Sequence, residues 1–182
     1  MLFEQIVYNG AGSGNQVTDT VDIPYTSTAT AKSSTLNQSA YITGTSSADT
    51  YTALAGGGTR ESTATYTYNA YGQVVTESDV PDTGNSAEDS CTTVTYAVNT
   101  NNSVWLVDLP SEVNVVALPC STHASQPSQV ISDTKYTYDG GSGAPTAGNV
   151  TLLQQASVKY TAFSVSRAVR GSARARPGPG PR

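Results

Sequence analysis

Histidine occurs once in this 182-residue chain, cysteine twice, and methionine and tryptophan once each. Two cysteines and one histidine are too few for a tetrahedral sulfur–nitrogen metal site, which takes four ligands. His123 is the sole candidate for a histidine general base. It lies in a Ser/Thr/Pro stretch, and no serine is surrounded by a nucleophile-elbow pattern. His123 therefore reads as an exposed side chain, and a Ser-His-Asp hydrolase is the weakest of the functional alternatives.

Long apolar runs are also missing. The stretch from Val113 to Leu118 is broken by Asn114, so no membrane-spanning helix is expected. Met1-Leu2-Phe3-Glu4-Gln5 has neither a basic region nor a long apolar segment, so it does not read as a secretion signal. If the protein is exported, that signal is expected in a longer parent. Hydrophobic residues reach 37% and charged residues 13%, against about 45–50% and about 25% in ordinary globular domains. Small hydroxyls fill the gap, with 26 Thr and 22 Ser, accompanied by 11 Tyr. Threonine and tyrosine suit a pleated, half-exposed surface. This is the vocabulary of an exported β protein, either one domain or a slice of a larger one.

Charge divides the chain. Residues 1–166 carry four basic and 14 acidic groups, a net of −10, whereas residues 167–182 carry five arginines and no acid. That last stretch, Arg-Ala-Val-Arg-Gly-Ser-Ala-Arg-Ala-Arg-Pro-Gly-Pro-Gly-Pro-Arg, is low in complexity and cannot build a core. The organisation expected is a β-hairpin region over residues 1–157 and a disordered tail over 158–182, with a frameshifted end as one origin of the tail. With no aromatic interleaved, the tail does not read as a nucleic-acid binder.

Strand-like alternation recurs along the first 157 residues. Phe3 to Tyr8 and Val17 to Tyr25 read as strands, the second stopping at Pro24. Thr26 to Ser39 is weakly patterned, and Ala40–Thr43 and Thr50–Leu54 look like separate short strands. Thr63 to Tyr68, Gln73 to Ser78 and Cys91 to Val98 alternate. Val104 to Leu109 is ended by Pro110, Glu112 to Leu118 begins afresh, and Val130 to Tyr138 and Val150 to Gln155 complete the set.

Within this pattern a phrase repeats. Tyr66-Thr67-Tyr68-Asn69-Ala70-Tyr71-Gly72-Gln73-Val74 returns as Tyr136-Thr137-Tyr138-Asp139, which runs through a Gly-rich insertion to Gly148-Asn149-Val150. Each copy reads as a strand, an Asn/Asp–Gly turn and a second strand. Alternate tyrosines face one way and stack on the neighbouring hairpin, Asn or Asp starts the turn through its side chain, and Gly permits positive φ. Repeated hairpins stack into arrays that serve as scaffolds.

On these motifs the chain resembles the RHS family, whose arrays are also called YD repeats: Tyr-x-Tyr-Asp, a short turn, then Gly-Arg-Leu/Val. Asn69 stands where the family has Asp, and Gln73 where it has Arg. The spacer segments Asp89–Ala97, Leu109–Val113 and Val130–Asp133 resemble long-spacer members from actinobacteria, so that the similarity covers residues 20–157. The resemblance implies an all-β shell segment of a secreted or cell-surface bacterial protein that encloses or displays a toxin or other cargo domain. It also implies neighbouring repeats as partners, no catalysis and no cofactor. The alternative is a free-standing adhesin or carbohydrate-binding module stacking sugars on exposed Tyr and Trp.

Other features have plainer readings. Gly10-Ala11-Gly12-Ser13-Gly14 and Gly56-Gly57-Gly58 lack the spacing, helix and acidic partner of a phosphate loop, so they read as turns. Glu77, Asp79, Asp82, Glu88 and Asp89 lack Ca²⁺-loop spacing and read as a solvated acidic loop. Cys91 and Cys120 either pair in an oxidising compartment or remain separate thiols. Trp105, Leu106 and Val107 read as sheet core, the sharper alternative being a sugar-stacking platform.

Overall fold

The computed structural model describes residues 3–9, 16–26, 31–101, 103–141 and 143–157. The glycine stretch 10–14 and the tail 158–182 lie outside the described residues, as do the expectations attached to them. Eleven strands follow one another: β1 (Glu4–Tyr8), β2 (Gln16–Thr26), β3 (Ala31–Ser33), β4 (Gln38–Ala40), β5 (Thr43–Ala53), β6 (Thr59–Tyr68), β7 (Val74–Val80), β8 (Ser90–Asn99), β9 (Leu106–Val116), β10 (Val130–Tyr138) and β11 (Val150–Ser157). Nine of them form one antiparallel sheet in the order β1-β2-β5-β6-β7-β8-β9-β10-β11, and β3 and β4 form a separate hairpin. Two single-turn 3₁₀ segments, Ser86–Glu88 and Pro127–Gln129, interrupt the loops. The fold is the all-β antiparallel hairpin array that the alternation implies, with no α-helix among the described residues and none long and apolar enough to cross a membrane.

The hydroxyl-rich composition follows from the register. Thr67 pairs with Thr76, Thr76 with Thr93, and Thr93 with Asn114, so small polar side chains line up across four strands on one face. The Thr67 and Thr76 hydroxyls bond to each other, and those of Thr20 and Thr50 meet at 3.0 Å. Such cross-strand pairs stabilise a half-exposed sheet without a deep apolar layer.

Three expected strand boundaries fail, and β-bulges account for two of them. β2 does not stop at Pro24: pairing with β5 shifts between Ile23 and Pro24, leaving Ser46 as an extra residue, and continues to Thr26. β9 likewise runs through Pro110, with Ser111 as the extra residue between the pairs Thr95–Glu112 and Tyr96–Pro110. Pairing of β9 with β10 begins only at Glu112, so the ladder on that side never requires the amide that Pro110 lacks. The third failure concerns Ala40–Thr43 and Thr50–Leu54, where a single strand, β5, runs from Thr43 to Ala53 and Gln38–Ala40 belongs to the small hairpin. The acidic loop is also shorter than expected, because Asp79 and Val80 belong to β7.

Burial is sparse. Among the described residues Cys91, Val116, Tyr138 and Pro145 are the buried apolar side chains, joined by Asp89 and Asn99. Cys91 and Val116 face each other across β8 and β9, and a disulfide ties Cys91 to Cys120, just beyond β9. Trp105, expected in the core, is 69% exposed, while Leu106 and Val107 are half-buried. Trp105 lies in the β8–β9 connection, directly before β9, and among the described residues little covers it.

With so little buried area, the covalent link carries a large share of local stability. The bridge spans a separation of 29 residues, and in the chain-entropy model a loop of that size is worth about 3–4 kcal/mol. A Cys91→Ser/Cys120→Ser double variant is expected to lose about that amount in denaturant unfolding. An unchanged midpoint would show that the bridge leaves the unfolded chain unconstrained.

Candidate functional site

One rim of the sheet repeats the same construction. The turns β6–β7, β8–β9 and β10–β11 all open there, and each begins with Asn or Asp. Asn69 Oδ1 accepts the amides of Tyr71 at 2.9 Å and Gln73 at 3.1 Å, while Gly72 takes φ +80°. Asn99 Oδ1 accepts the amide of Asn101 at 3.1 Å. Asp139 accepts four amides: Ala147 at 2.9 Å, Thr146 at 2.7 Å, Gly148 at 3.2 Å and Asn149 at 3.0 Å. These bonds, those of Ala147 and Thr146 foremost, hold the Asp139 carboxyl far below the usual carboxylate range.

The two copies of the motif superpose in register. Asn69 donates its amide to the Gln73 carbonyl and Asp139 to that of Asn149. Tyr68 pairs with Val74 and Tyr138 with Val150, each beside a one-residue bulge at Val75 or Thr151. Gly72 and Gly148 hold corresponding places with φ +80° and +74°, and each lies under an aliphatic side chain, Ile42 or Leu109. The ten-residue Gly-rich insertion thus closes the same hairpin as the compact turn.

A third copy escaped the sequence reading. Tyr96 takes the place of Tyr68 and Tyr138 beside the bulge, Val94 stands where the motif has its first tyrosine, Ala97 and Val98 separate Tyr96 from Asn99, and no glycine follows Asn99 in its turn. The remaining signal was Tyr, two residues, then Asn.

Tyrosine hydroxyls complete the pattern. Thr45, Val74 and Pro110 each precede a bulging residue, Ser46, Val75 or Ser111, and lie two residues beyond the last pair that their strand makes with the next one, Ser47–Thr65, Thr76–Thr93 or Glu112–Lys135. Tyr68 donates to the Thr45 carbonyl at 2.6 Å, Tyr96 to Val74 at 3.0 Å and Tyr138 to Pro110 at 2.7 Å. Burial raises the pKa of Tyr96 and Tyr138, keeping both hydroxyls protonated as donors. Where the bulging residue has a hydroxyl, it bonds across the pair: Ser46 to the Ile23 carbonyl at 3.0 Å, Ser111 to Thr95 at 3.2 Å and Thr151 to Thr137 at 3.1 Å.

The expected tyrosine stacking is present at one motif. The rings of Tyr25 and Tyr68 lie 4.7 Å apart and 22° from parallel. Tyr25 pairs with Gly44, and a Cβ placed on Gly44 would come within 2.8 Å of the Tyr68 hydroxyl. Gly44 is therefore the gap over which the rings meet. Tyr66 and Tyr136 lie two residues earlier on their strands, and burial followed by the charge of Glu77 raises the Tyr66 pKa.

Side chains also link successive turns. Gln73 Nε2 donates to the Val107 carbonyl, and Asn99 Nδ2 donates to the Pro145 carbonyl at 2.7 Å. Tyr71 and Trp105 meet edge to face, with centroids 6.0 Å apart.

The other candidates are not brought together. Glu77 and Asp79 lie on β7, Asp82 accepts the Gly84 amide at 2.8 Å, Glu88 belongs to a 3₁₀ turn, and Asp89 is buried. No group of three or more His, Cys, Asp or Glu positioned to hold a metal occurs among the described residues. His123 is exposed in the β9–β10 loop, and Gly56–Gly58 form part of the β5–β6 turn. No family model, curated protein or solved structure matches the chain.

Two outcomes test this construction. Gly44→Val should cost about 1–3 kcal/mol in unfolding through overpacking, and less in a Tyr68→Ala background, because the clash is with that ring. Asp139 is depressed in the folded state, so its contribution is complete above the unfolded carboxylate pKa of about 3.9 and is lost as pH falls below it. The thermal midpoint should therefore fall more steeply from pH 5 to pH 2 in the parent chain than in Asp139→Asn. Parallel curves would remove the carboxylate from the account.

Proposed function

We propose that this chain is a non-catalytic structural segment of a secreted or cell-surface bacterial RHS/YD-repeat protein, part of a β-wall that encloses or displays a toxin or other cargo domain. The observation that carries the reading is the recurrence of one hairpin device at a single rim: an Asn/Asp-started turn, a bulge, and a tyrosine that caps the bulge's carbonyl. Tyr66, Tyr68, Asn69, Gly72, Val74, Tyr136, Tyr138, Asp139 and Val150 are the motif positions, and their chemistry goes into holding chain to chain.

Two further features favour a wall. Among the described residues nine strands form a single sheet with few buried side chains, so its faces gain most from covering by other structure. β11 also carries the repeated bulge, at Thr151, on an outer edge where no further strand pairs among the described residues. The disulfide favours an oxidising location.

The genomic DNA on either side supplies the test. It should encode further Tyr-x-Tyr-Asn/Asp units, with a cargo domain downstream. Flanks without such units would overturn the reading.

A further inference from the structure

The only tryptophan of the chain stands on the tyrosine-clamped rim, 69% exposed. Its neighbour there is Tyr71, 41% exposed, whose ring meets Trp105 edge-on at 88°. Tyr41, also exposed, directly precedes Ile42, the side chain that covers Gly72 in the same turn. Three loops therefore bring exposed aromatic residues to one edge of the sheet. Leaving large aromatic side chains in water forgoes their burial, and a cluster of such residues marks a contact surface.

The cluster is held in place. Asn69 Oδ1 fixes the Tyr71 amide, Gly72 turns the chain beneath Ile42, and Gln73 reaches across to the Val107 carbonyl beside Trp105. That last bond fastens the β6–β7 turn to the strand that follows Trp105, so the Tyr71–Trp105 geometry is built into the backbone. A preformed aromatic surface avoids part of the ordering cost of binding.

Charge selects the class of ligand. Neither Asn69-Ala70-Tyr71-Gly72-Gln73 nor Asn99-Thr100-Asn101-Asn102-Ser103-Val104-Trp105 contains an acidic or basic residue. Nucleic acids and acidic glycans need cations, which these turns lack. Among the described residues of the same connection, Thr100, Asn101 and Ser103 are exposed, an amide and two hydroxyls that donate and accept hydrogen bonds. Aromatic faces for the C–H face of a pyranose ring, flanked by neutral hydrogen-bonding groups, fit a neutral sugar.

We infer that Trp105 and Tyr71 form a binding platform for a neutral polysaccharide, with Trp105 as the stacking residue and Tyr71 orienting its ring. The site is independent of the wall reading, because it uses turn residues that the strands leave exposed.

Trp105 is a single-site reporter. The intact chain is titrated with hydroxyethyl cellulose and laminarin while tryptophan emission is followed, and pelleted with insoluble cellulose and chitin. Saturable emission change and co-sedimentation with at least one of these probes are expected. Trp105→Ala should abolish co-sedimentation, Trp105→Phe should retain part of it, and Tyr71→Ala should weaken it roughly tenfold, because Trp105 loses the ring that orients it. Circular dichroism should be the same for all variants, since both side chains lie outside the strands. Binding to none of the four probes, binding only to polygalacturonate, or binding that survives Trp105→Ala would overturn the inference.

Discussion

The structure depends on how a thin sheet deals with carbonyls left where its ladders end. Beyond the last pair of a ladder a backbone acceptor has no strand partner, and leaving it unsatisfied is costly. Tyr68, Tyr96 and Tyr138 answer this in the same way, each reaching to the strand before its own. The phenol is long enough to span the gap, and its ring covers backbone that no second layer protects. At these three positions tyrosine thus does two jobs, of which phenylalanine would do one.

The sheet and its turns were largely legible in the sequence, because alternation and Asn/Asp–Gly chemistry are local signals. Asn69, Gly72 and Asp139 occupy the roles their residue types imply. The bulges were not legible, since an extra residue is defined only against a partner strand that may be far along the chain. Pro24 and Pro110 therefore read as strand ends, although each sits where one flank of the ladder makes no demand on its amide. The copy at Tyr96–Asn99 was hidden for a related reason. Its first tyrosine and its glycine are missing and two extra residues separate Tyr96 from Asn99, while the Asn99 side chain still starts the turn and also holds the next one through Pro145.

Trp105 shows the limit of composition as a guide. A lone tryptophan followed by Leu and Val reads as core, and in a two-layer domain it would be. Among the described residues the connection before β9 meets the neighbouring turn, where the ring contacts Tyr71 edge-on and stays largely exposed.

The bulges at Ser46, Val75, Ser111 and Thr151 fall on the same rim and on alternate strands. Each lengthens one strand of a pair by a residue at that end and bends it in the same sense. Bends of one sense add up with each hairpin, so curvature in such an array is set by the repeat unit and its extent by the number of copies. Removing the extra residue at one bulge would therefore change the bend that its hairpin contributes, and the same change in every copy would alter the radius of the array.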